Sequence, residues 1–392
     1  MTITNNSINS VIIGPNQKTA FGEMLTAVSA PAIQLQFPYN INTDYVSTTV
    51  TGSGTVTQSN SLARIASGAA SSSSATLKSL QTIHYGAGQG LSGLFTAVFA
   101  TGVANNTQIV GLGDDVDGFF FGFNGTAFGV LHRNNSVDTW IAQTAWNGDR
   151  FNGTGQSGQT LDVTKGNVYK IQFQWLGFGA INFFIENNAT GQLQLCHEIK
   201  YTNLNTVPSL ANPNPNLFAQ SKNTTNTSNV ITSVGSMGAF IEGINENIDI
   251  RNAINSSKST ITTETSLIQL RNNSTFASKT NKTRITIDQI SILNQSTQEG
   301  IYRFYLNPTV GGSPSFTNIN ANTSVVSYDT AGTTVSGGRL LLVAHLAGND
   351  QVFQSLEPYK LNFYPGDRLV VSVATLGLAL SLSVGLSWLE RF

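Results

Sequence analysis

Apolar residues in this chain almost never recur at the i, i+3, i+4, i+7 spacing of a helix face. Short alternating runs bounded by Gly, Asn, Asp, Pro or Ser follow one another instead, about one every ten residues. That pattern dictates an all-β fold. In the first half the expected strands are Leu94 to Ala100, Thr107 to Leu112, Gly118 to Phe123, Ala127 to Arg133, Val168 to Leu176, Ala180 to Glu186 and Leu193 to Lys200. Turns such as Asn124-Gly125 and Asn188-Ala189-Thr190-Gly191 join several of them, because Asn and Gly adopt positive φ at low cost. Successive strands joined by tight turns make antiparallel sheets, and this many strands imply two sheets packed face to face.

Four stretches separate on composition. Residues 1–38 read as an N-terminal arm with an isolated apolar patch from Phe21 to Val28. Residues 39–245 form a first large β unit. It contains a low-complexity patch, Ser67 to Ser74, expected as flexible or a loop unless a neighbour orders it, and a long Pro- and Asn-rich surface connection from Asn203 to Asn229. Residues 246–284 read as a connector, either a hinge or a donor of shared strands, with strand patterning at Ser266 to Leu270 and Arg284 to Leu293. Residues 285–392 have the size of one small β-sandwich. Its strands are expected at Gly300 to Leu306, Val325 to Tyr328, Arg339 to Leu346, Tyr359 to Phe363, Arg368 to Thr375 and Leu380 to Leu389. No fixed-period repeat suggests a solenoid or propeller.

Charge narrows the function classes. Only 10% of residues are charged, against roughly 25% in ordinary soluble domains, and 20 basic residues nearly balance 21 acidic ones. A near-neutral chain with no basic cluster lacks the footprint for nucleic acid or anionic lipid. Low charge also suits permanent assembly. The lone cysteine, Cys196, excludes an internal disulfide framework and a Cys-based metal cluster. The first residues read as neither a secretory signal nor an Arg-rich transit peptide. The uncharged stretch from Leu369 to Trp388 is long enough to span a bilayer as a helix, yet its alternation and its Gly377 and Gly385 favour paired strands.

No reactive constellation emerges. The four histidines, His84, His132, His197 and His345, lie in no nucleophile elbow or metalloprotease pattern and read as strand residues. Cys196 and His197 are adjacent, so a strand would point them to opposite faces. Asp114, Asp115 and Asp117 offer carboxylates for Ca²⁺, but the required spacing is missing and an Asp-Gly turn explains them, so no metal and no cofactor is expected. No carboxylate pair for glycoside hydrolysis is recognisable, and the chain reads as non-enzymatic. The segment Thr139 to Asp149 sets Trp140 and Trp146 beside Asn147 and Asp149, an aromatic and polar mixture suited to stacking and hydrogen-bonding a sugar; core or subunit packing is the competing account. Trp175 and Trp388 read as core, and the many Asn-x-Ser/Thr sequons as composition.

The run Gly113-Asp114-Asp115-Val116-Asp117-Gly118-Phe119-Phe120-Phe121-Gly122-Phe123-Asn124-Gly125, then Phe128-Gly129-Val130-Leu131 and Tyr169 to Gly177, resembles structural proteins of tailed phages and large DNA viruses. In those a concanavalin A-like jelly roll is built into fibres, spikes or capsid-associated complexes. The closing pattern, Ser336 to Leu341 with Tyr364 to Leu369 and Ser387-Trp388, is similar to their C-terminal β-sandwich. The resemblance implies a jelly roll followed by a smaller sandwich, location on the virion surface and self-assembly, commonly as a homotrimer with other virion proteins as partners. It carries over no catalytic residue.

Two functional readings follow. The first is a non-enzymatic virion structural protein whose arm residues Phe21, Met24, Leu25 and Val28 dock on a partner, so that deleting residues 1–38 would abolish incorporation while leaving the β units folded. The alternative is a lectin-like adhesin that recognises host-surface glycans through Trp140, Trp146, Asn147 and Asp149.

Overall fold

The computed structural model describes residues 29–84, 86–243 and 249–392. The proposed docking residues Phe21, Met24, Leu25 and Val28 lie outside the described residues. The expected all-β architecture is the one observed: two antiparallel sandwiches in series, each with its own core.

The first sandwich faces an eight-stranded sheet with a seven-stranded one. The eight-stranded sheet runs Leu193–Ile199, Ile181–Glu186, Asn167–Gln174, Gly90–Val98, Ile231–Glu242, Leu62–Ala66 and Thr55–Ser59, with Ser29–Gln36 also paired to Ile231–Glu242. The seven-stranded sheet runs Val137–Ala142, Ala127–Asn134, Gly118–Asn124, Asn106–Gly113, Asn216–Asn223, Ser74–Ser79 and Val46–Thr51. Alternate residues meet between them in an aromatic core, where Tyr169 stacks on Phe95 at 5.5 Å and Phe121 meets Phe183 edge-on at 5.4 Å. Gly93 admits Leu112 to that core, since a Cβ there would sit 2.7 Å from Leu112 Cδ2.

The second sandwich pairs a five-stranded sheet (Ile250–Ile261, Leu380–Arg391, Arg284–Asn294 and Gln351–Ser355, with Asn362–Phe363 beside Arg284–Asn294) with a six-stranded one. The latter holds Thr317–Asn318, Val326–Asp329, Thr265–Asn272, Arg368–Thr375, Gly300–Leu306 and Arg339–Leu346. Its core is largely aliphatic, built on Ile285, Ile287, Ile290 and Ile292 against Val371 and Val373. The strict alternation of Leu380–Arg391 buries Leu382, Val384, Leu386 and Trp388 and turns Ser383, Gly385 and Ser387 outward.

Several sequence expectations need correcting. Ser29–Gln36, assigned to the arm, is a strand paired with Ile231–Glu242, and it buries Ile33 and Leu35 in the first core. Of the two accounts left open for the connector, the structure has strands rather than a hinge, both in the second sandwich: Ile250–Ile261 is an outer strand and Thr265–Asn272 a central one. Buried Glu390 fastens that outer strand by accepting from the Asn252 amide, and it also accepts from Ser324, Trp388 and the backbone of Val325. Within the expected surface connection, Asn216–Asn223 is an interior strand of the seven-stranded sheet. Its polar residues are buried because they are bonded: the Asn223 amide donates to Gly68, Ala70 and Ser228 carbonyls and accepts from Asn106. The same network orders the low-complexity patch, where the fully buried Ser73 hydroxyl donates to Ser67 and Ala70 carbonyls. Only Asn362–Phe363 of the expected 359–363 strand is extended; Glu357–Tyr359 is a 3-10 turn. Arg368–Thr375 and Leu380–Arg391 are strands, as the alternation requires, but they sit in opposite sheets and do not pair with each other. No helix among the described residues is long and apolar enough to cross a membrane.

Candidate functional site

The structure separates the two tryptophans that the sequence places side by side. Val137–Ala142 turns Trp140 outward, where it packs half-buried against Ile109, Phe120, Leu131 and Phe218. A 3-10 turn at Gln143–Ala145 then redirects the chain. Trp146 enters the core at 1% exposure, edge-on to Phe121 and Phe128. It presents no face to a sugar. Asn147 lends its amide to the strand alongside, donating to the Glu198 carbonyl and accepting the Glu198 N–H, each at 2.9 Å. Buried Asp149 accepts the N–H groups of Phe151 and Ser157, so both polar residues shape the loop and form no platform with Trp140.

The remaining candidates resolve simply. Cys196 is fully buried, burial pushes its thiol well up, and it donates to the Phe183 carbonyl. No group of three or more His, Cys, Asp or Glu among the described residues converges as a metal site. His132, His197 and His345 lie on strands, whereas His84 lies on a connecting segment with its Nδ1 3.2 Å from the Phe392 carbonyl. Burial, followed by the charges of Arg391 and Arg284, pushes the His84 imidazole down to about 4.

Convergence occurs instead where loops of the first sandwich meet the second. The Asp114 to Asp117 turn joins Asn106–Gly113 to Gly118–Asn124, and Asp114 Oδ1 accepts the N–H groups of Val116 and Asp117. Gly118 is required there: its φ is +156°, and a Cβ would strike Phe120 Cζ at 2.4 Å. The Asp117 carboxylate gathers two further loops by accepting N–H groups from Asn135, Ala211 and Asn212 at 2.9, 2.9 and 3.0 Å. Asn135 and Ser136 form the tight turn after Ala127–Asn134 with φ of 51° and 66°.

The second sandwich closes this corner with the hairpin Thr275–Phe276 and Lys279–Thr280. Lys282, just beyond it, places Nζ 2.7 Å from Asp114 Oδ2, with both side chains buried. Thr82 donates to the Lys282 carbonyl at 2.9 Å, which secures the same crossing. Burial alone would raise the Asp114 carboxyl, but the Lys282 ammonium and the donated N–H groups outweigh it and hold the group below its usual range. A cavity of about 210 Å³ remains, lined by Asp117, Asn135, Asn212, Ser278, Lys279 and Lys282 among others. Its polar functions are uncommitted at the mouth, because the side chains of Asn135, Asn212 and Lys279 make no hydrogen bond or ion pair among the described residues. Sequence reasoning missed this cleft. Asp117 was visible as a turn residue, but nothing local connects it to Lys282.

No protein-family model matches this chain, and no curated protein matches it. Among solved structures, it is similar to the exoplasmic/lumenal domain of VIP36 in a Ca²⁺/Man3GlcNAc-bound form, at 13% identity and a TM-score of 0.35 over 55% of this chain and 90% of that one. A legume lectin-like domain from Entamoeba histolytica aligns at 11% identity and a TM-score of 0.31, over 54% of this chain and 97% of the other. A glycosyl hydrolase family protein from Mycobacterium fortuitum aligns at 12% and 0.37, over 53% and 99%. No residue role transfers at such values.

Proposed function

We propose that this protein is a non-enzymatic glycan-recognition protein whose binding site is the cleft between the loops of the first sandwich and the hairpin of the second. The observation that carries the reading is the gathering of three loops on Asp117, which leaves the amides of Asn135 and Asn212 and the ammonium of Lys279 free around one cavity. Free amides and one ammonium on a rigid frame suit a hydroxyl-rich ligand. Proton-transfer chemistry has little support there, because Asp114 is tied to Lys282 and Asp117 already accepts three backbone donors. The test is a double substitution, Asn212→Ala with Lys279→Ala, assayed on a glycan array and by titration. Binding about tenfold weaker or worse, with unchanged melting, supports the cleft; undiminished binding sinks it.

A second reading, a self-assembling virion component, is favoured by a different observation. The strand Arg339–Leu346 forms an outer edge of the six-stranded sheet with Leu340 and Val343 exposed, and such an edge invites another chain. Light scattering decides it: a stable multiple of 41.8 kDa supports assembly, and a monomer at all concentrations counts against it.

A further inference from the structure

We propose that the outward face of the five-stranded sheet is a second saccharide surface, made for a chain of neutral sugar units lying across the strands. The inference rests on the glycan reading above but uses none of the cleft's residues.

Strand register builds the surface. Asn255 lies opposite Gly385, Gly385 opposite Ser291, and Ser291 opposite Phe353, so four strands contribute one row pointing away from the core. Three strand spacings give that row a length of about 14 Å, more than one sugar ring needs. The neighbouring row adds Ser387 opposite Gln289. A trough of about 330 Å³ runs over Asn255, Gly385, Ser291, Gln289 and Ser387, and Phe353, opposite the trough residue Ser291 on the next strand, has 71% of its surface exposed.

Three features select the ligand. Gly385 gives the trough its depth: a Cβ there would meet only Ser291 Cβ, at 3.9 Å, so a larger side chain would rise into the open space and fill it. The amides of Asn255 and Gln289 and the hydroxyl of Ser291 make no hydrogen bond among the described residues, which leaves donors and acceptors spread along the floor. No residue of the two rows is itself charged, and the adjoining carboxylate of Asp288, to which Ser387 donates, is already paired with Arg251 at 2.7 Å. A solvent-exposed phenyl ring beside neutral amides and hydroxyls matches a pyranose, which offers an apolar C–H face and hydroxyls on its rim. Ala253, Ile254 and Leu386 also line the trough and supply apolar contact of the kind a sugar's C–H face takes.

Phe353→Ala and Gly385→Val test the surface, with mannan, dextran, xylan and laminarin as soluble probes in affinity electrophoresis and titration. Each substitution should weaken binding of at least one probe about tenfold, the loss expected of a stacked ring, while Phe353→Trp retains it and melting is unchanged. Binding by both variants within twofold of the parent overturns the proposal. So does a parent protein that binds none of the four probes, or a Phe353→Ala variant whose main change is dissociation of an oligomer. Loss in the cleft variant alone leaves the glycan reading standing without this surface. Loss in Phe353→Ala and Gly385→Val alone leaves this surface standing without the cleft.

Discussion

Two outward sheet faces of the same chain have opposite fates. On the seven-stranded sheet, Ile109, Phe120, Leu131 and Phe218 point away from the main core and are nonetheless fully buried. Trp140 packs against them, and the Arg133 guanidinium lies 5.6 Å from the Phe120 ring centre while pairing with Asp138. On the five-stranded sheet, the row from Asn255 to Phe353 carries an amide, a glycine, a hydroxyl and one ring, and it stays open. The contrast teaches that an aromatic residue on a sheet face is informative only with its neighbours: large apolar residues around it close the face into a second small core, whereas small polar ones leave the ring available.

The comparison can be broken in several ways, beginning with the largest expected effect. Truncation to residue 39 removes the strand Ser29–Gln36, so Ile33, Leu35 and Phe37 leave the core; at ~1.5–3 kcal/mol per buried side chain this costs about 5–9 kcal/mol. Truncation to residue 29 keeps that strand. Urea denaturation of the two should differ sharply, and equal stability would show that the first sandwich does not need its edge. Phe120→Ala on the closed face should cost about 3–5 kcal/mol by the same measurement. His84 comes next: between its ordinary 6.5 and about 4 the unfolded chain binds a proton that the folded chain refuses. Stability should therefore rise with pH across that window, by at most about 3 kcal/mol, and be complete above it. Melting temperatures measured from pH 4 to 7 should show the slope in the parent and a flatter one in His84→Gln. Phe353→Ala on the open face should change stability by less than about 0.5 kcal/mol. A loss comparable to that of Phe120→Ala would erase the distinction between the faces.

The strands that sequence reading located, such as Gly118–Asn124 and Arg368–Thr375, have apolar inward residues. Those it missed include strands with apolar interiors, such as Ser29–Gln36 with Ile33 and Leu35 and Ile231–Glu242 with Val234 and Ile241, and one whose buried residues are half polar. Asn216–Asn223 reads as a loop because Asn216, Gln220, Ser221 and Asn223 signal turns, yet each is buried and bonded in place. Alternation reports hydrophobic burial and is blind to burial satisfied by hydrogen bonds. The sugar platform failed for a geometric reason. Trp140 and Trp146 would share a face on a continuous strand, but the intervening 3-10 turn sends one outward and the other in. The cleft was illegible because Thr82 and the Lys282 carbonyl that it holds lie 200 positions apart.

Cys196, sealed in the first core with its sulfur against the Phe183 carbonyl, has a practical consequence. As the chain's single thiol, it reaches a water-borne alkylating reagent only when the aromatic sandwich around it parts. Its labelling rate therefore acts as a clock for the opening of that sandwich, while the aliphatic sandwich, which has no thiol, stays silent.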